Sequence, residues 1–281
     1  MMDNVSGLEL LPTHRVLLER AVSNFRDDDR VVGMILGGSL ARGAADFYSD
    51  VDLYIVARDE SFEAVFDERD AVVRTIGSPL FRFAVDPIPG GSRDYIVTYP
   101  GPVKLDLMYY RKSEVVPGPK WVGCPVLEDD SGSLETVVSS SAMFRPDRPE
   151  PETLLELNQK FWTWCWYVFG KIMRGELWKA LDGVHGIRSQ ALLPMLDWMS
   201  DRPHEGYRRL ESKADSETAA RLVATVSTLR PEPLYAALQA EMDLFSDLRA
   251  AASERFGLAF DPAPEKALKD EMNRHWAVRG P

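Results

Sequence analysis

The stretch Gly37-Gly38-Ser39-Leu40-Ala41-Arg42-Gly43-Ala44-Ala45-Asp46-Phe47-Tyr48-Ser49-Asp50-Val51-Asp52-Leu53 decides how this chain is read. It follows Val31 to Leu36, a short apolar run that reads as a buried strand. Two glycines and a serine end that strand. Glycine lets a backbone approach a ligand closely, and successive N–H groups entering a helix make an anion site. Ten residues of loop separate Ser39 from Asp50-Val51-Asp52, which leads into a second β-rich run, Val51 to Val56. Residues i and i+2 of a strand share one face. The two carboxylates therefore point the same way, at a spacing that suits one or two divalent ions. Sites built from oxygen favour Mg²⁺ and complete its shell with substrate phosphates.

Working outward, Asp106 lies inside Val103 to Met108, an otherwise strand-like run. An acid in a strand is costly to bury unless it is paired or binds a metal. If this strand neighbours the one that starts at Asp50, three carboxylates meet beside a phosphate-cradling loop. Those are the elements of a two-metal phosphoryl or nucleotidyl transfer site.

The remaining chain bounds the reading. It has 281 residues, 33 Lys plus Arg against 44 Asp plus Glu, and a net charge of −11. With 45% apolar and 27% charged residues it is ordinary globular composition, which excludes disorder, collagen-like sequence and a disulfide scaffold. Cys124 and Cys165 form no C-x-x-C, so neither a zinc ribbon nor a redox pair is offered. Met1 to Leu10 lacks the basic-then-apolar pattern of a signal peptide. The apolar runs Val31 to Ala41 and Phe161 to Gly170 fall short of the roughly 20 residues of a membrane span. The expectation is a soluble cytoplasmic protein with no membrane partner. The acidic balance argues against nucleic acid, which needs a basic surface. It suits a cationic small molecule, although solubility alone explains such a charge equally well.

The first half alternates helix and strand patterns. Thr13 is positioned to cap a helix carrying Val16, Leu17, Ala21 and Phe25, and Phe62 to Ile76 reads as one helix. Asp94 to Thr98 and Lys104 to Tyr110 read as a hairpin about Pro100-Gly101-Pro102. Pro117 to Pro151 is rich in Pro, Gly and Ser and is read as the domain connection, with a strand near Val122 to Leu127 and a helix near Leu134 to Phe144. Beyond it the pattern is helical: Glu152 to Arg174, Ile187 to Ser200, Ser216 to Leu229, Pro233 to Phe256 and a short helix near Pro264.

The order of apolar strand, Gly38-Ser39, Asp50-x-Asp52 and a later Asp106 resembles the nucleotidyltransferase superfamily that includes DNA polymerase β. Tyr48-Ser49-Asp50-Val51-Asp52 resembles more closely the aminoglycoside and lincosamide antibiotic nucleotidyltransferases. The resemblance implies an α+β fold: a nucleotidyltransferase-type mixed sheet with flanking helices over 1–150, including the connection 117–150, then a helical substrate-binding bundle over 151–281. The nucleotide is expected between the two. The resemblance also implies AMP transfer from ATP to a hydroxyl of a small cationic acceptor, with two Mg²⁺ ions, in a monomer or a homodimer. Gly38 and Ser39 would bind phosphates. Asp50, Asp52 and Asp106 would hold metal, with Asp106 alternatively taking the hydroxyl's proton. Arg42 and Lys171 are candidate phosphate contacts, and Glu176 and Asp182 candidate contacts to the acceptor. Glu156 and Glu176 are available as a separate base. Other members of the superfamily modify RNA or protein, so a macromolecular target stays open. Two readings of another class remain: a nucleotide-binding regulator, and a serine hydrolase. Gly37-Gly38-Ser39-Leu40-Ala41 approximates a nucleophile elbow with Ala in its last place. The aromatic run Phe161 to Tyr167 reads mostly as core, with Phe161, Cys165, Val168 and Ile172 on one helical face.

Overall fold

The computed structural model describes residues 10–85, 91–145 and 148–279. Two compact units divide the chain, Met1–Arg145 and Pro146–Pro281. The architecture is α+β.

Six strands form one mixed sheet in the first unit: β1 (Val31–Leu36), β2 (Val51–Ala57), β3 (Phe81–Ala84), β4 (Arg93–Tyr99), β5 (Val103–Arg111) and β6 (Val126–Asp129). Their order across the sheet is β3-β4-β5-β2-β1-β6. The pair β2–β5 is parallel and the other pairs are antiparallel. Every residue of β1 is buried, which is why its sequence runs apolar without alternation. In β5 the alternation is explicit: Val103, Leu105 and Leu107 are buried, while Lys104, Asp106 and Met108 turn to the other face.

Helices α1 (Pro12–Arg26), α3 (Phe62–Asp67) and α4 (Arg69–Ile76) flank one face of the sheet; α2 (Gly38–Ala41) follows β1. Leu18, Phe25, Val73, Leu53, Ile55, Val97 and Leu105 share a single core on that side. The chain after β5 covers part of the opposite face. Trp121 is fully buried there, edge-on to Tyr54 and Tyr110 at 4.8 and 5.7 Å. Helix α5 (Ser133–Ser141) adds Leu134 to the same cluster. Tyr54, Met108 and Tyr110 pack in that cluster, and Asp52, Lys104 and Asp106 share their face earlier along the same strands.

The second unit is helical: α6 (Pro151–Met173), α7 (Leu177–Ile187), a π-helical turn (Arg188–Leu192), α8 (Leu193–Met199), α9 (Leu210–Lys213), α10 (Ser216–Ala224), α11 (Pro231–Phe256) and α12 (Ala263–Ala277). The face Phe161, Cys165, Val168 and Ile172 of α6 is buried, and Phe161 stacks on Phe245 of α11 at 3.7 Å. Among the described residues no helix is long and apolar enough to cross a membrane.

Several elements differ from the sequence reading. Thr13 lies inside α1, whose cap position is Leu11 and makes no side-chain cap bond; Pro12, suited to the first turn, sets the start instead. The helix over 62–76 is two helices that meet at Glu68. Strand β3 was not foreseen, because Phe81-Arg82-Phe83-Ala84 is short and largely exposed. Within the connection the strand falls at β6, where it pairs with β1, rather than at Val122 to Leu127, and Trp121 ahead of it is a core residue. Helix α7 was also missed, since Gly183 and Gly186 weaken its pattern. Gly183 has a packing reason: a Cβ there would overlap Val168 of α6.

Candidate active site

Gly37 closes β1 by donating its N–H to the Asp52 carbonyl at 2.8 Å, which ties the turn to β2. Gly38 has φ +65, in the left-handed region, and a Cβ there would overlap the Asp52 carboxylate. Only glycine meets both demands. The backbone of Gly38 therefore lies directly against a carboxylate, and α2 carries the half-buried Ser39 just beyond it. Arg42, at the end of α2, is exposed.

The loop that returns to β2 is shaped by Asp46. Its carboxylate accepts from the Tyr48 N–H at 2.8 Å and from the Ser49 hydroxyl at 3.2 Å. Buried His14 of α1 donates from Nε2 to the Ser49 carbonyl at 2.8 Å and so anchors the residue before Asp50. Tyr48 is 87% exposed, so its ring is not what shapes the loop.

Parallel pairing sets Asp52 directly opposite Asp106. Asp50, two residues before Asp52, sits at the mouth of the strand. The Lys104 ammonium stands between two of these acids, 2.8 Å from Asp50 Oδ2 and 3.1 Å from Asp106 Oδ2. Burial is the main force raising the Asp106 pKa, to about 6; the Lys104 charge opposes it, and Asp52 and Asp50 add to it. Burial works against the Lys104 ammonium, but the Asp50 and Asp106 carboxylates prevail and hold its pKa above the ordinary lysine value. Asp106 Oδ1 is buried and has no hydrogen-bond partner among the described residues. As the side chains stand, no group of three His, Cys, Asp or Glu among the described residues is arranged to hold a metal ion. Lys104 already occupies the space between Asp50 and Asp106.

The same face continues across the sheet. Asp106 pairs with Ile96 of β4, and Ile96 with Phe83 of β3. Lys104 pairs with Thr98, and Thr98 with Phe81. Phe81 and Phe83 are 71% and 58% exposed, so this face is open beside the carboxylates. Asp94 lies on it too, with a buried Oδ1 that has no hydrogen-bond partner among the described residues. A groove of about 550 Å³ lined by Thr13, Val16, Arg20, Ile76, Tyr99 and Val103 opens on the opposite, helical face, and no carboxylate lines it.

The other sequence candidates are engaged locally in the helical unit. Lys171 and Glu176, assigned to different ligands, pair with each other at 2.6 Å, and Arg174 joins Glu176 at 2.7 Å. Asp182 pairs with Lys179 at 2.6 Å, and Glu156 with Lys160 at 2.8 Å. Ser39 follows a strand that is antiparallel to both its neighbours, unlike the parallel sheet that carries a hydrolase elbow.

A profile of the streptomycin adenylyltransferase family matches residues 13–274, nearly the whole chain. The chain belongs to the streptomycin adenylyltransferase family. It is an adenylyltransferase, and membership implies a nucleotide co-substrate. Similar solved structures include an aminoglycoside 6-adenyltransferase from Bacillus subtilis, 15% identical, covering 95% of this chain and 99% of that one with a TM-score of 0.47. A nucleotidyltransferase-like protein from Exiguobacterium sibiricum is 12% identical over 86% of this chain and 77% of that one, with a TM-score of 0.40. A STING-associated CdnE c-di-GMP synthase from Capnocytophaga granulosa is 12% identical over 85% and 83%, with a TM-score of 0.28. A search of curated proteins found no match. In this adenylyltransferase, three residues at or beside the candidate site were not among those read from the sequence: Lys104, His14 and Asp94. Lys104 carried a signal, since two residues before Asp106 in a strand means the same face. His14 carried none, because its partner is a backbone carbonyl.

Proposed function

We propose that this adenylyltransferase moves AMP from ATP to a hydroxyl of an aminoglycoside-type antibiotic and releases pyrophosphate, with Mg²⁺ held by Asp50, Asp52 and Asp106. The observation that carries the reading is the meeting of these carboxylates on one sheet face, beside Gly38, in a member of this family. The donor set suits a hard divalent cation: all oxygen, one buried oxygen with no hydrogen-bond partner among the described residues, and an ammonium already drawn between two of the acids. A divalent cation bound there offsets the charge of the phosphates and of the transition state.

The chain's own groups do the rest. Gly38 and Ser39 bind the β- and γ-phosphates through backbone N–H and hydroxyl, with Arg42 close behind. The acceptor oxygen attacks the α-phosphorus, the bond from that phosphorus to the bridging oxygen breaks, and pyrophosphate leaves. The hydroxyl's proton passes to a carboxylate base, a role that Asp106 fills only where it does not hold the metal. In-line displacement puts the nucleophile opposite the leaving group. With the phosphates on the β1–α2 side, the acceptor lies on the β5–β4 side, over Asp94, Ile96 and Phe83. A cationic acceptor would pair with Asp94. The helical unit is the proposed substrate-binding domain, where Lys171 serves the triphosphate and Glu176 and Asp182 the acceptor. Each would first leave an ion pair at the surface, where water screens the attraction.

Pyrophosphate release with ATP and Mg²⁺ across aminoglycosides and lincosamides tests the reading, beside Asp50→Asn. Release driven by an aminoglycoside that gains an adenylyl group, absent in the variant, is expected. Release driven only by a protein or RNA acceptor, or ATP binding without release for any antibiotic, would overturn the antibiotic assignment.

A further inference from the structure

We propose that Lys104 is a built-in stand-in for the divalent cation: its ammonium holds Asp50 and Asp106 together when no metal is present, and it must swing out when metal and nucleotide enter. This rests on the reading that the three carboxylates hold a metal. The ammonium already makes the contacts a cation would make, at 2.8 and 3.1 Å to one oxygen of each acid. A Mg²⁺ ion takes oxygen ligands at about 2.0–2.1 Å. An ion and an ammonium cannot share the space between the same two carboxylates. Lys104 also has a route out. Its side chain is 37% exposed, on a flexible four-carbon stem, at the open end of the sheet face.

Two consequences follow from this competition. Without Lys104, Asp50 and Asp106 lose the ammonium they share, so the metal-free protein loses stability and metal restores it. With Lys104, a lone metal ion must displace an ion pair, whereas a metal–nucleotide complex also offers phosphate oxygens to the displaced ammonium. Lys104 thus makes metal binding depend on nucleotide.

The test reads Mn²⁺ binding, by electron paramagnetic resonance, to wild type, Lys104→Met and Lys104→Arg, each with and without a non-hydrolysable ATP analogue. The expected result is an Mn²⁺ Kd at least about tenfold lower in Lys104→Met without nucleotide, roughly 1.4 kcal/mol. The enhancement of Mn²⁺ binding by the analogue should shrink in that variant, while Lys104→Arg keeps the wild-type pattern. Lys104→Gln carries the same expectation should the Met variant fold poorly, and thermal melting should show larger metal stabilisation in either neutral variant. An unchanged or weaker Kd in folded neutral variants would overturn the role of Lys104 alone. Absence of Mn²⁺ binding in folded wild type and variants, even with the analogue, would overturn the metal site itself and this proposal with it.

Discussion

Gly38 has no room for a side chain, and its φ of +65 suits none. The two penalties fall on different observables. A non-glycine residue in left-handed conformation costs about 1–2 kcal/mol, a modest loss of stability. A Cβ pressed into Asp52 moves a carboxylate proposed to hold the metal, and misplacement near 1 Å at a reacting site costs on the order of 10²-fold in rate. Gly38→Ala is therefore expected to melt within several degrees of wild type while adenylyl transfer falls about 10²-fold; equal activity would mean that Asp52 need not sit where it does. Glu241, in the helical unit, presents a different problem. It is fully buried on α11, Arg188 is 3.6 Å away, and neither carboxylate oxygen has a hydrogen-bond partner among the described residues. Burial pushes its pKa well above the usual carboxylate range, with Arg188 opposing. A folded-state pKa above the unfolded value means that stability is full below the unfolded pKa and is lost as pH rises through the folded one. Glu241→Gln is expected to remove that slope and to gain about 1–3 kcal/mol relative to wild type at the alkaline end. Melting from pH 5 to pH 9 checks it; parallel curves for the two proteins would refute it.

At the scale of elements, the parallel pair β2–β5 brings Asp52 and Asp106 together, and the hairpin β4–β5 extends their face to the β3 edge. The strands that carry the acids were legible because alternation in Val103 to Met108 and the β-rich run after Asp50 are period-two signals. Their adjacency was not, since register is fixed by long-range packing, and strand order is invisible in a local pattern. Lys104 escaped for a related reason: a lysine in an alternating strand reads as solvent-facing until an acid is known to lie across from it. In the segment after β5, Pro, Gly and Ser mark the turns correctly but say nothing of Trp121, which those turns deliver into the core. Trp121→Ala leaves a cavity beneath Tyr54 and Tyr110, at a cost of about 3–5 kcal/mol. Thermal unfolding is expected to show that loss in the first unit, with Asp52, on the Tyr54 strand, losing its support. A neutral result would return the segment to the status of a linker. On the open face, Asp94→Asn is expected to raise the acceptor's KM several-fold with little change in the KM for ATP; a change in ATP alone would move the acceptor elsewhere.

Across the whole molecule the charge is unevenly divided. Residues 1–145 hold 23 acids and 15 bases, a net −8, and residues 146–281 hold 21 and 18, a net −3. The unit assigned to ATP is thus the more acidic, so a free nucleotide tetra-anion is repelled and is expected to bind only as its metal complex. A polycationic acceptor gains from the same field, which salt screens with a Debye length that shortens from about 10 Å at 0.1 M to about 3 Å at 1 M. The acceptor's KM should therefore climb several-fold over that range; a flat response would remove electrostatic attraction from its recognition. Composition makes the overall bias legible, but its division between the units follows only from their boundary. Everything proposed for catalysis depends on where the cation binds. Crystals grown with Mn²⁺ and a non-hydrolysable ATP analogue, measured at the manganese absorption edge, locate it directly. The expected anomalous peak lies among Asp50, Asp52 and Asp106, with Lys104 turned away from the acids. A peak at other side chains, with Lys104 still bridging Asp50 and Asp106, would contradict the assignment of this site.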